Sequence, residues 1–396
     1  MSRVALFALS NIRNVGEDLL ADTTEWLIRR ALPDCEVQRV QFCPQGRGED
    51  MVQRMINRIA RCFLRMSERT SGTWSYRWLD LYYRIRHHRR FRRAIARADA
   101  VVSAVGMFKF ASQDFSYLYA LVARIASRCG VPFMISAPSV AEADPGEWRS
   151  AQLARTLSSG GVARFTTRDG AAGVERIRRG YGAPERLPVS AVGDPALWIP
   201  ECYGITACPS SERTLVGVNL VRGGIYETYR GGVSEEGLLT AYHDLLAALD
   251  ARGYEWRLFS NGTKSDERFG DLLCSRFRIP AERRLPPTRS PADYVRRVAS
   301  FRLVFAARFH AFLSATALGI PSVALDWDDK FVFTARELGR ERFLVDLGLM
   351  NGAEIVARLE ESERTPLDAG RLNVLKAATE SALRDFILEC CKRSPA

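Results

Sequence analysis

Arg308 and His310 stand one residue apart between an apolar run and an apolar helix, and together they suit chemistry on an anion. A guanidinium can grip a carboxylate or phosphate with two parallel hydrogen bonds. An imidazole can pass a proton near neutral pH. Lys330, some twenty residues on, adds a compact ammonium in a chain where only five of 57 basic residues are lysine. The same residues also admit a structural reading. In that reading the arginine pairs with an acid, and the histidine caps a helix or packs in a core.

The elements around them decide where that chemistry sits. Leu303 to Ala307 reads as a buried strand, Phe309 to Leu318 as a buried helix, and Ser322 to Leu325 as a second strand. Gly319 and Pro321 end the helix. The unit is β-α-β, so its strands should be parallel and its crossover right-handed. Arg308 and His310 then fall at the carboxyl edge of the sheet, where open α/β sheets bind ligands. A helix N-terminus there presents N–H groups and partial positive charge.

The rest of the chain repeats the strand–loop–helix rhythm. Val4 to Leu9 leads into the loop Ser10 to Asp18 and a helix reaching Leu32. In that loop Asn14 and Glu17 or Asp18 could meet acceptor hydroxyls. Equally, Asn14 could cap the helix and Gly16 supply a turn. Strands are expected at Ala100 to Val105, ending at Gly106, at Val131 to Ser136 and at Ala163 to Thr167, where Arg168-Asp169 opens a helix with Asp169 as its cap. Asp194 to Pro209, with three prolines, reads as a linker. Beyond it come strands at Leu215 to Leu220 and Trp256 to Ser260. A glycine-rich loop at Arg222 to Gly232 precedes a helix from Glu235 to Arg252. A pair of helices between Glu354 and Cys391 closes the chain. The expected division is an N-terminal Rossmann-like domain over 1–200, with a basic helical insertion at about 50–97, and a C-terminal one over 210–396.

Composition excludes several classes. Hydrophobic content of 47% and charged content of 26% belong to a globular protein, and no apolar run is long enough for a membrane span. Nine cysteines without a C-x-x-C pair argue against a disulfide framework or a structural zinc, so no metal and a reduced, cytoplasmic setting are expected. The net charge of +11 is concentrated: thirteen arginines lie between Arg54 and Arg97, against Glu68 and Asp80. Arg54, Arg58, Arg61, Arg65 and Arg69 share one helical face. Such a segment suits an anionic membrane surface at the inner face of the cytoplasmic membrane, or a solvated face. Nucleic acid is the weakest expectation, because no nucleic-acid motif accompanies the charge.

The motif R-x-H, an apolar helix, G-I-P, a strand and a lysine, with Leu338-Gly339 downstream, resembles the C-terminal signature of the polysaccharide pyruvyl transferase family. Asn14-Val15-Gly16-Glu17, Arg168-Asp169 and Asp194-Pro195 fit in order, so the resemblance spans about residues 4–345. It implies two Rossmann-like domains facing across a cleft in the GT-B manner. It also implies transfer of a pyruvyl group from phosphoenolpyruvate to a glycan or lipid-linked sugar as a cyclic ketal, without a cofactor. In that scheme Arg308, Lys330 and Arg168 hold the donor, His310 is the acid, Glu17 or Asp18 the base, and Asn14, Gly16 and Gly106 line the acceptor. Family members usually carry a glycine pair where this chain has Val105-Gly106-Met107, and a glycine-rich turn at Ala137 to Glu142. Two alternatives stand beside it: a GT-B glycosyltransferase using a nucleotide sugar, and a non-catalytic anion-binding scaffold.

Overall fold

The computed structural model describes residues 1–9, 14–42, 73–109, 115–208, 212–229, 231–346 and 351–391, apart from the side chains of 73–80, 82 and 228. Arg54, Arg58, Arg61, Arg65 and Arg69, expected on one helical face, lie outside the described residues.

The chain forms two units, each with a parallel sheet and helices alternating with its strands. The first unit holds β1 (Arg3–Ala8), β2 (Glu36–Gln41), β3 (Ala100–Ala104), β4 (Phe133–Ile135), β5 (Arg164–Thr167) and β6 (Val189–Ala191), in the order β2-β1-β3-β4-β5-β6. Its helices include part of α1 (Val15–Ala31), then α2 (Thr73–Ile95), α3 (Phe115–Cys129), α4 (Trp148–Ser158) and α5 (Gly170–Glu175). Strands buried on both faces read as unbroken apolar runs, and Ala100–Ala104 is buried throughout.

The second unit holds β7 (Val216–Asn219), β8 (Trp256–Phe259), β9 (Leu303–Ala306), β10 (Ser322–Leu325) and β11 (Leu344–Val345), ordered β11-β10-β9-β7-β8. Its helices include the start of α1, then α6 (Ile199–Tyr203), α7 (Ile225–Tyr229), α8 (Glu235–Ala251), α9 (Lys264–Phe277), α10 (Pro291–Ala299), α11 (Phe309–Ala317), α12 (Asp329–Glu337), α13 (Gly352–Arg364) and the first part of α14 (Ala369–Cys391). The β9-α11-β10 unit is present as the sequence predicts, with Ser322 paired to Val304 in parallel register. Gly319, just past α11, takes a left-handed φ of 66°, the conformation that ends a helix most cheaply with glycine.

Three expectations change. The units divide between Ala191 and Val192 rather than near residue 200, and Arg13–Trp26 groups with the second unit while Ser381–Ala396 groups with the first. The cause is burial: Val15 and Leu19 belong to the second unit's core, and the Val15 N–H donates to the Asn261 carbonyl at 3.0 Å. The stretch Asp194–Pro209, expected as a linker, is helical in its first half. Pro195 and Pro200 sit in first turns, where proline's missing N–H is no loss, and Ala196, Leu197 and Ile199 enter the second unit's core. Asp169 makes no capping bond to α5; its carboxylate accepts from the Ser139 hydroxyl at 2.8 Å and the Val140 N–H at 2.6 Å instead, tying the loop after β4 to β5. Burial pushes that carboxyl's pKa up, against the Val140 bond and Arg168.

Candidate functional site

In the second sheet the chain runs outward from β7 to β8 on one side and from β9 to β10 on the other, so its switch point lies between β7 and β9. Asn219 ends β7 and Arg308 follows β9. They are joined there: the Arg308 N–H donates to Asn219 Oδ1 at 2.9 Å. Asn219 is fully buried, and its amide donates to Asn261 Oδ1 at 3.1 Å and to the Phe259 carbonyl at 3.3 Å. Tyr294 donates to Asn261 Oδ1 at 3.1 Å, and Tyr242 to the Asn219 carbonyl at 2.7 Å. Burial raises the pKa of both phenols, so each stays a donor. A buried polar network of this kind fixes the ends of three strands and the first turn of α1 in one geometry.

Arg308 emerges from that floor with 19% of its side chain exposed and forms a two-point ion pair with Asp266, which is fully buried. The pair runs from Nε to Oδ2 at 3.0 Å and from Nη2 to Oδ1. Side-on pairing of this sort fixes the guanidinium plane. Lys330 is held likewise: Asp328 caps α12 through the Lys330 N–H at 3.2 Å and accepts from its Nζ at 2.5 Å. The ammonium lies 4.6 Å from the Trp327 ring centre and 5.9 Å from that of Phe309, within cation–π range. Trp327 is anchored by its indole N–H on the Ala307 carbonyl at 2.7 Å. Tyr229, from α7, stacks at a tilt on Trp327 with ring centres 5.1 Å apart. Its pKa is raised by burial and by Asp328, and lowered by Arg222 and Arg308, which places all four groups in one electrostatic neighbourhood.

His310 is 8% exposed, its ring edge-on to Phe309 at 5.6 Å. A Cβ placed on Gly16 would stand 2.1 Å from His310 Nδ1. The turn at Asn14–Gly16 therefore packs directly on the imidazole, and only a residue without a side chain fits. Asn14 Oδ1 accepts from the Gly16 N–H at 3.3 Å, the local turn that opens α1. Glu17 is buried and Asp18 half-buried in the first turn of that helix. So Arg308, His310 and Lys330 come together at one sheet edge, and Asn14, Gly16, Glu17 and Asp18 are in the same unit.

Arg168 and Gly106 belong to the first unit. Arg168 is buried and donates from Nη2 to the Gly106 carbonyl at 2.6 Å, bracing the turn after β3. Ala137 nearby takes a left-handed φ of 50°, with its N–H on Thr166 Oγ1 at 2.9 Å. Where the resemblance implies a glycine-rich turn, this chain thus has an alanine in a conformation that glycine adopts without strain.

Sequence reasoning paired Arg308 with no particular acid, gave Arg222 and Tyr229 no individual role, and missed Asn219, Trp327 and Asp328 as neighbours of the site. The signal for Asp266 was legible: Thr263 caps α9 by accepting from the Asp266 N–H at 3.2 Å, a helix start that puts an acid at the third position.

A family model for polysaccharide pyruvyl transferase matches residues 14–329. The chain belongs to this family. Its match takes in the Asn14–Gly16 turn and the Arg308–His310 motif, which the fold brings into contact. Among solved structures, UDP-N-acetylglucosamine 2-epimerase from Rickettsia bellii is similar, with a TM-score of 0.54 and 12% identity over 98% of this chain and 96% of that one. A UDP-glucosyltransferase from Polygonum tinctorium capable of glucosylating indoxyl gives 0.53 and 12%, covering 99% of each chain. UDP-GlcNAc 2-epimerase from Methanocaldococcus jannaschii gives 0.52 and 11%, over 97% and 99%. At such identities the likeness is one of fold, and it agrees with the two Rossmann-like units of the GT-B class. No curated protein sequence matches the chain. Among the described residues no group of side chains is set to hold a metal ion, and no helix is long and apolar enough to cross a membrane.

Proposed function

We propose that this family member moves a pyruvyl group from phosphoenolpyruvate onto two hydroxyls of a glycan or lipid-linked sugar, forming a cyclic ketal. The observation that carries the reading is the grouping of Arg308, His310 and Lys330 at one edge of one sheet, the first two inside the region the family model matches and Lys330 one residue past its end. Phosphoenolpyruvate is a small, highly charged anion. Arg308, its plane set by Asp266, offers the rest of its guanidinium to a carboxylate or phosphate. His310 gives a proton to the terminal methylene, C2 becomes electrophilic, and one sugar hydroxyl adds there as its proton passes to Glu17 or Asp18. The C2–O bond to phosphate then breaks as the second hydroxyl closes the ring, and the departing phosphate takes up that hydroxyl's proton. Burial of the imidazole suits a proton transfer shielded from water.

One observation favours the non-catalytic reading. Both cations meant for the donor already face carboxylates, Arg308 with Asp266 and Lys330 with Asp328, and His310 is mostly covered. The nucleotide-sugar reading draws on fold likeness alone. Phosphate release from phosphoenolpyruvate in the presence of candidate glycans decides among them. Release dependent on both His310 and acceptor supports the pyruvyl reading. Turnover of a UDP- or GDP-sugar instead, or of neither donor, sinks it.

A further inference from the structure

The helix α2 carries a feature the site does not use. Its inner face is fixed by a row of stacked rings: Tyr83 on His87 at 5.9 Å, His87 on Phe91 at 5.4 Å, and Tyr83 on Tyr117 at 5.5 Å. Phe91 also meets Phe7 edge-on at 4.9 Å, and Tyr117 stacks on Trp148 at 5.0 Å. The helix is therefore held in a set rotation against the first unit's core. Its opposite face presents Leu81 and Ile85, 43% and 74% exposed, one turn apart. Arg89, Arg92 and Arg93 continue that exposed face, and Arg84 flanks it. From Leu81 to Ala98 the chain carries seven arginines and no acidic residue.

We infer that this face of α2 docks on a bilayer surface rich in anionic lipid, with Ile85 and Leu81 entering the headgroup boundary and the arginines meeting the headgroups. Charge complementarity argues for an anionic partner. The two aliphatic side chains choose lipid over nucleic acid, because they gain by leaving water at an acyl boundary and nothing by lying on a phosphate backbone. The inference does not depend on the reaction proposed above.

The test is flotation of the full chain with vesicles of phosphatidylcholine alone, and with equimolar phosphatidylcholine and phosphatidylglycerol. Association is expected with the anionic vesicles only, and it should weaken as salt rises. Arg89→Gln and Arg93→Gln should each lower the partition by about fivefold, and Ile85→Asn by about tenfold. All three residues are exposed, so melting temperature and donor binding should stay as in the parent chain. The inference is overturned by an absence of binding to anionic vesicles, or by binding that the three substitutions leave unchanged. Binding that duplex DNA displaces while Ile85→Asn has no effect overturns it too, in favour of a nucleic-acid surface.

Discussion

Substituting Gly16 with alanine tests the contact on which the site's geometry turns. The new Cβ would stand 2.1, 2.5 and 2.9 Å from Nδ1, Cγ and Cε1 of His310. Ordinary contacts of this kind begin near 3.4 Å, so ring and turn must separate by on the order of 1 Å. A displacement of that size at a reacting group costs up to about 10²-fold in rate. Overpacking should destabilise by about 1–3 kcal/mol, partly offset by alanine's helix preference of about 1 kcal/mol in the first turn of α1. Gly237→Ala, in the first turn of α8, is the control. Its Cβ would meet Ser234 and Val233 at 3.5 Å, an ordinary contact, so it should gain up to about 1 kcal/mol. The assay is thermal and urea unfolding of Gly16→Ala, His310→Ala and the double variant, beside phosphate release from phosphoenolpyruvate. Removing the ring should remove the clash, giving a coupling of about 1–3 kcal/mol between the two sites. Additive effects, or full activity in Gly16→Ala, would refute the contact.

Other outcomes follow from the same structure. Arg308→Ala should abolish donor binding and also destabilise by about 3–5 kcal/mol, because Asp266 is left buried and unpaired; adding Asp266→Ala should restore urea stability without restoring binding. His310→Ala should cut turnover by about 10²–10⁴-fold with donor affinity kept, read by single-turnover kinetics beside calorimetry. Burial, then Arg90 and Arg86, hold His87 down to about 3, from 6.5. Its neutral form is therefore favoured by folding, and that stability is complete above pH 6.5 and lost as pH falls toward 3. The loss reaches about 2 kcal/mol by pH 5, and His87→Phe should flatten that slope in urea melts across the same range. Ala137→Gly should leave stability unchanged or raise it by about 1 kcal/mol, since the left-handed backbone is strained for alanine.

Local pattern made most of the architecture legible. Leu303–Ala306 and Ser322–Leu325 are buried on both faces, as inner parallel strands must be, and Gly319 with Pro321 marks the end of α11 unambiguously. Prolines misled at Asp194–Pro209, because Pro195 and Pro200 start helical turns instead of breaking them. At the site, Arg308 and His310 were visible because strand and helix meet there. Their partners were not, since Asp266 and Asn219 lie 42 and 89 positions from Arg308 and reach it only through the order of the strands. Gly16 reads from the sequence as a turn glycine or as part of an acceptor lining; its role against His310 depends on a contact that no local signal encodes.

Calorimetric titration of the full chain with phosphoenolpyruvate, in parallel with UDP- and GDP-sugars, bears most directly on the claim that this sheet edge takes a three-carbon phosphorylated acid. Saturable heat with phosphoenolpyruvate alone, lost in the Arg308→Ala/Asp266→Ala protein and kept in His310→Ala, is the expected result. Heat from a nucleotide sugar instead, or phosphoenolpyruvate binding that survives loss of the guanidinium, would contradict it.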